Sequence, residues 1–239
     1  SRVAEVVDGL ADFMDRREPG FIGWQEIGGA DPCGECEIEV IRERFEAPWS
    51  TERPLGYSER RGMERVHTPI SAQRGGRANA RAELGSPQWD GQSSTRFVTV
   101  VHYSTRNLSV INTHLIAGAW ACGQPDQARR RDYWQRGWTT LRNAVQTEHE
   151  RGRNVIVTGD LNRSAQSSSC NPGWNPGSLH ENARRIAGAP TIDYIFAVPA
   201  NRWRFFVARN NAGEQKRGSR AIGIDSHRAH WVAGSFVRD

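Results

Sequence analysis

At 239 residues the chain is long enough to bury one sizeable core, and residues 1–239 read as a single large domain. With 37% hydrophobic and 25% charged residues it has the make-up of ordinary soluble protein, and no apolar run approaches the ~20 residues that a bilayer span needs. A formal charge of +5 and a pI near 9.4 suit an anionic partner, nucleic acid or phosphorylated lipid.

The start of the chain shows neither a signal peptide nor an amphipathic transit sequence. Residues 2–17 have the pattern of an amphipathic helix, with Val3, Val6, Val7, Leu10, Phe13 and Met14 at helical spacing. Glu18-Pro19-Gly20 stops it, and Phe21 to Trp24 form a short buried strand that delivers Gln25-Glu26. From Glu37 to Phe45, Ile38, Val40 and Ile41 alternate with charges, which predicts a half-exposed strand or edge. Residues 47–95 are rich in Gly, Pro, Arg and Ser, with Val66 and Ile70 marking one strand. Such an irregular stretch suits a substrate groove.

Phe97–Val101 and Leu108–Asn112 predict an antiparallel pair turning near residues 104–107. A long helix follows over roughly 126–150, with Trp134, Trp138, Leu141 and Val145 on one face and Gly152 as its stop. Val155-Ile156-Val157 is a buried strand, and further strands are expected at Tyr194–Val198, Trp203–Ala208 and Trp231–Val237. Strands and helices alternate with hairpin-like pairs among them, so the expected class is mixed α/β.

The basic residues are nearly all arginine, with Lys216 the only lysine. Arginine favours bidentate phosphate contacts, although a GC-rich coding sequence yields the same bias. Of the four cysteines, Cys33 and Cys36 form a lone CxxC in a Gly/Pro turn, while Cys122 and Cys170 stand alone. Two disulfides and four free thiols both fit this spacing, and a zinc site lacks two further ligands at comparable spacing.

Five polar motifs follow or abut these strands: Gln25-Glu26, Asn112-Thr113-His114, Gly159-Asp160-Leu161-Asn162, Ile192-Asp193-Tyr194 and Asp225-Ser226-His227. Polar groups at a sheet rim cost folding energy unless paired, hydrogen-bonded or metal-bound, and five such sets suggest a hydrolytic site. Glu26 offers a hard oxygen for Mg2+ or Ca2+. His114 can donate a proton to a phosphate oxygen or leaving group. Asp160 and Asn162, two apart, share one side if the segment stays extended, one to polarise a water and one to contact phosphate or metal. The other reading of that segment is an Asx turn. Asp193 opens an apolar strand and requires a partner, for which His227 is the candidate.

In this order the motifs resemble those of the endonuclease/exonuclease/phosphatase superfamily, the deoxyribonuclease I-like fold, over nearly the whole chain from about Arg2 to Val237. The resemblance implies a four-layer α-β-β-α sandwich, two mixed β-sheets face to face with helices outside. It implies phosphodiester or phosphomonoester hydrolysis assisted by a divalent ion, usually Mg2+, with Mn2+ or Ca2+ as substitutes. Carried over by position, Glu26 resembles the metal ligand and His114 the phosphate-facing histidine. Asp160 and Asn162 resemble the pair that orients water and phosphate, and Asp193 the acid that pairs with His227.

Two departures follow from the same comparison. The family opens with a strand carrying an Asn before its first helix, so the sandwich is expected to be short of that strand. Its last motif reads Ser-Asp-His, whereas Ser226 stands here at the place of the acid and Asp225, one position earlier, is the substitute metal ligand. A family acid supporting the first histidine falls to Glu59 or Glu64. The leading expectation is a metal-dependent nuclease on DNA or RNA, with loops bearing Trp120, Arg129, Arg130 and Trp174 reaching nucleic acid. The alternatives are a phosphatase or phospholipid phosphodiesterase, and a catalytically weakened nucleic-acid-binding module.

Overall fold

The computed structural model describes residues 2–14, 20–25, 27–28, 37–52, 66–73, 76–89, 92–187, 192–205, 217–221 and 228–237. In chain order these form α1 (Arg2–Met14), β1 (Phe21–Gly23), β2 (Ile27–Gly28), α2 (Glu37–Arg44), β3 (Trp49–Glu52), β4 (Val66–His67), β5 (Ile70–Gln73) and β6 (Ala78–Ser86). There follow β7 (Arg96–Tyr103), β8 (Leu108–His114), α3 (Gln127–Glu150), β9 (Asn154–Asp160), β10 (Arg184–Ala187) and β11 (Asp193–Val198). The chain closes with β12 (Trp203–Phe205), β13 (Arg217–Ala221), β14 (Arg228–Val232) and β15 (Gly234–Phe236).

The six-stranded sheet runs β10-β11-β9-β8-β7-β6. Only β8 and β9 pair in parallel, because α3 carries the chain back across the sheet between them, and the other ladders are antiparallel. One face packs on α3. Trp134, Trp138, Leu141 and Val145 recur every three or four residues and meet Val98, Val100, Ile111, Val155, Val157 and Phe196. Each such side chain, fully buried, contributes roughly 1.5–3 kcal/mol relative to exposure.

The opposite face meets the antiparallel sheet β1-β5-β3. Ile70 and Ala72 of β5 lie against Val101, Tyr103 and Val110. Helices α1 and α2 cover the far side of this smaller sheet through Val7, Ala11, Ile38, Ile41 and Phe45 against Ile22 and Trp24. The layers are therefore helix, sheet, sheet, helix. Among the described residues no helix is long and apolar enough to cross a membrane.

The segment from Glu37 is helical, not a strand. Ile38, Ile41 and Phe45 fall at i, i+3 and i+7 and are the buried positions, while Val40 is only partly buried. Within 47–95 the chain forms β3, β4, β5 and β6, more than the single strand expected. The long β6 is built from alanines and charged residues, so its place is set by its backbone ladder with β7. The final strand is likewise two pieces, β14 and β15. Cys122 and Cys170 form a disulfide between the loop after β8 and the loop after β9, while Cys33 and Cys36 lie outside the described residues.

The two sheets touch closely at Gly23. A Cβ there would collide with Thr158 Oγ1 and lie 2.7 Å from Asn112 Oδ1. Gly23→Ala is therefore expected to destabilise the protein by roughly 1–3 kcal/mol through overpacking, checked by urea denaturation with the midpoint lowered at unchanged slope.

Candidate functional site

Parallel neighbours end together, and this puts the chemistry in one place. His114, last residue of β8, lies opposite Asp160, last residue of β9. β11 runs antiparallel beside β9, so its first residue, Asp193, lies opposite Asp160 on the other side. Residues facing one another across a ladder point to the same side of a sheet. His114, Asp160 and Asp193 thus form a row across three adjacent strands at one sheet end. From β14, His230 Nε2 comes within 3.8 Å of Asp193 Oδ2 and extends the row. Two carboxylates side by side repel unless positive groups or hydrogen-bond donors flank them, and histidines stand at both ends of this pair.

His114 and Asp160 are each only 2% exposed. Arg96, at the start of β7, places Nη1 2.9 Å from His114 Nδ1. A guanidinium can only donate, so Nδ1 accepts and the hydrogen of the neutral ring sits on Nε2. That nitrogen points at Asp160 Oδ2, 3.6 Å away.

The other oxygen, Asp160 Oδ1, accepts the backbone N–H of Asn162 at 2.7 Å. Asn162 has φ +49° and donates Nδ2 to Leu115 O at 2.9 Å. The segment is therefore an Asx turn, not an extended run with both side chains on one side. Asparagine and aspartate tolerate this geometry because their short side chains satisfy the backbone locally. Gly159 just before the turn has no room for a side chain, since a Cβ would lie 2.5 Å from Thr113 O.

Asn112, two residues before His114 on the same face, is fully buried and saturated. Its Oδ1 accepts from Gln25 Nε2 (2.6 Å) and Thr158 Oγ1 (2.9 Å), and its Nδ2 donates to Trp24 O (2.7 Å) and Pro69 O (3.1 Å). It fastens the segment carrying Gln25 to the centre of the large sheet. Tyr194, next to Asp193, donates its hydroxyl to Arg163 O (2.9 Å) and accepts from Ala165 N–H (3.1 Å). Burial pushes this phenol's pKa up, which keeps it a donor.

The loops expected to offer exposed Trp and Arg behave differently. Trp120 and Trp174 are half-buried and meet Trp134 edge-on at 5.5 and 5.6 Å. Arg130 is buried, its guanidinium spent on Pro125 O, Ala117 O and Gln92 Oε1. Only Arg129 is exposed, lying 4.3 Å over the Trp89 ring. Indole area is worth more inside the core than in water, which explains the tryptophans.

Glu26, Asp225, Ser226 and His227, with Glu59 and Glu64, lie outside the described residues. Arg96 and His230 are site neighbours that motif reading passed over. A hairpin turning at 104–107 already brings residue 97 opposite 114, so the position of Arg96 was available from register counting. Among the described residues no group of three or more His, Cys, Asp or Glu is set to hold a metal. Mg2+ needs less, one or two carboxylates with water and substrate phosphate completing its shell, and the hard oxygens of adjacent Asp160 and Asp193 suit it.

The family model for the Endonuclease/Exonuclease/phosphatase family matches residues 46–220. Among solved structures, the chain is similar to mannosyl-6-phosphatase Bt3783 of Bacteroides thetaiotaomicron VPI-5482, with TM-score 0.56 and 12% identity over 83% of this chain and 78% of that one. It is similar to TDP2 from Caenorhabditis elegans, with TM-score 0.52 and 12% identity over 81% and 58% of the two chains. The human Nocturnin catalytic domain with bound sulfate anion gives TM-score 0.50 and 15% identity over 84% and 76%. At such identities the likeness is one of fold. No curated protein sequence matches the chain.

Proposed function

The chain belongs to the Endonuclease/Exonuclease/phosphatase family, a family of phosphoester hydrolases, and we propose that within it this protein is a divalent-metal-dependent phosphodiesterase, a nuclease cleaving DNA or RNA. The observation that carries the reading is the row His114, Asp160, Asp193 at one end of three adjacent strands. The net charge of +5 favours a polyanionic substrate over a small neutral one.

Mg2+, with Mn2+ or Ca2+ as substitutes, would be held by Glu26 and Asp225 and would supply positive charge to the phosphoryl oxygens. Asp160 takes the proton of the attacking water, its carboxylate held in place by the Asn162 N–H. His114 offers Nε2–H to a non-bridging oxygen, where negative charge grows during in-line attack. Asn162 orients the phosphate from the turn. Asp193 steadies imidazole at the far side of the row. His230 lies against it, and His227 is the histidine that the resemblance pairs with Asp193, suited to binding or protonating the phosphate.

Purified protein incubated with plasmid and with RNA tests this. EDTA is expected to slow cleavage at least about a hundredfold, and Glu26→Ala is expected to reproduce the loss. Cleavage no greater than that of Glu26→Ala, or indifferent to EDTA, sinks the reading. Turnover of a phosphomonoester with both nucleic acids intact transfers the site to the phosphatase side of the family.

A further inference from the structure

Elsewhere in the molecule part-exposed arginines cluster on acids. Arg81, Arg151 and Arg153 share Glu148, and Arg44 bridges Asp8 and Asp12. Behind the candidate site this pattern breaks. Arg163, the residue after Asn162, is 7% exposed and among the described residues meets no carboxylate. Its Nε donates to Asn171 Oδ1 (3.2 Å) and its Nη2 to Gly173 O (3.3 Å). Its guanidinium carbon sits 3.6 Å from the centroid of Trp120, 5.1 Å from Trp134 and 5.3 Å from Trp174.

Arg131 approaches the same Trp120 ring at 5.1 Å and donates to Ala119 O and Cys170 O. Among the described residues it too has no acid partner, and neither does buried Arg130. Two guanidiniums, those of Arg163 and half-exposed Arg131, thus share the Trp120 ring beside the two loops that leave His114 and Asp160. The Cys122–Cys170 disulfide ties those loops together.

Burying a charge without a counter-ion is costly. Burial, with the neighbouring charge of Arg131, pushes the Arg163 pKa down to about 10, so it stays protonated at neutral pH. Packing alone does not call for this arrangement, because a methionine of similar length fills a tryptophan box without a charge to bury. What the charge adds is a fixed positive potential. A guanidinium neutralised by a carboxylate looks from a distance like a dipole, whereas an unneutralised one keeps its full field in a poorly screened interior. Arg163 follows Asp160 by three residues, its backbone at most about 11 Å away along the chain, and the unneutralised charge acts at long range toward the strand ends where a phosphoryl group would sit.

We infer that Arg163 with Arg131 is an anion-attracting element of the site, raising its affinity for phosphate without touching it. This rests on the phosphoester-hydrolase reading, and Arg163 is by this argument a positioning residue in the electrostatic sense, not a catalytic one.

Calorimetric titration with inorganic phosphate separates the possibilities, because it needs no turnover. Arg163→Gln is expected to weaken phosphate binding about tenfold, and Arg163→Lys, which keeps the charge but not the planar stack, to stay within about threefold of wild type. Arg131→Gln, nearer the surface and safe for folding, is expected to cost about threefold. Arg136→Gln, whose charge Asp132 already neutralises at 2.9 Å, should change nothing.

A folded Arg163→Gln protein that binds phosphate as wild type does overturns the inference. So does an Arg163→Lys protein as weak as the Gln variant, since a purely structural guanidinium fails in both. Should Arg163→Gln not fold, unchanged binding by Arg131→Gln overturns it equally. A wild-type protein that does not bind phosphate at all removes the hydrolase reading itself, an outcome distinct from the others.

Discussion

Replacing Asp160 with asparagine is expected to lower kcat/KM on a phosphodiester by about a thousandfold while the protein stays folded. The substitution keeps shape and removes a charge and a proton acceptor. If the amide oxygen stays on the Asn162 N–H, the amide nitrogen turns toward His114 Nε2–H, and two donors face each other across 3.6 Å. Flipped the other way, the amide satisfies His114 but sets N–H against the N–H of Asn162. The first arrangement loses the electrostatic contact with His114 and the second the hydrogen bond from Asn162, a cost of about 1–2 kcal/mol, partly offset because Asp193 loses a like-charged neighbour. The fall should appear equally in kcat and kcat/KM, since proton transfer belongs to the transition state. Single-turnover rates on a labelled oligonucleotide, read beside the melting temperature, check it. A folded variant within tenfold of wild type would show that Asp160 does not handle the proton.

The parts of this fold that were legible in the amino-acid sequence are those where side-chain pattern and backbone structure agree. Val155 to Val157 is uninterrupted apolar sequence because β9 is covered on both faces, by α3 and by the smaller sheet. The long α3 shows itself through Trp134, Trp138, Leu141 and Val145. Short elements carry too few residues to declare a period. In α2, Ile38 and Ile41 satisfy helix spacing, yet Val40 between them imitates alternation. β6 escaped for the opposite reason. Ala78, Ala80 and Ala82 give no hydrophobic signal, and the strand exists because β7 offers it a full ladder.

The site divides the same way. His114, Asp160 and Asp193 could be picked out because a polar residue closing or opening an apolar strand is conspicuous. Their alignment in one row could not, because it depends on β8 and β9 pairing in parallel across α3. Arg96 and His230 look like surface residues until strand register brings them against His114 and Asp193. Asn162 was visible as a residue, but its turned backbone follows from a hydrogen bond to Asp160 that extended spacing would forbid.

Glu148→Ala is expected to cost about 3–5 kcal/mol of stability, because it strands three cations around an emptied buried site. Glu148 lies in the last turn of α3 and is 0% exposed. Its carboxylate takes Arg81 Nη1 at 2.9 Å, Arg151 Nη1 at 3.0 Å and Arg153 Nη1 at 2.6 Å, together with the Ser109 hydroxyl. One acid thereby joins α3, β6, β8 and the turn into β9. Burial alone would push its pKa up, but the hydrogen bonds from Ser109 and Arg153 and the charge of Arg81 outweigh it and hold the group at about 2.

A carboxyl whose folded pKa lies below its unfolded value of 4.5 binds its proton more readily in the unfolded chain. Its stabilisation is therefore complete above about pH 4.5 and is lost as the pH falls toward 2, a change of about 3 kcal/mol. Glu148→Gln removes the titration and keeps the shape, so the stability gap between wild type and Glu148→Gln should be wide at pH 7 and narrow steadily below pH 4.5. Urea unfolding at stepped pH reads this directly, and a gap that does not narrow in acid would mean the carboxylate's charge is not what holds these strands together. Glu148, bound to Ser109, and the candidate site at His114 lie toward opposite ends of β8, five residues and roughly 17 Å apart. The folded fraction of Glu148→Gln should accordingly keep wild-type kcat while its melting temperature drops, so that stability and catalysis come apart in one variant.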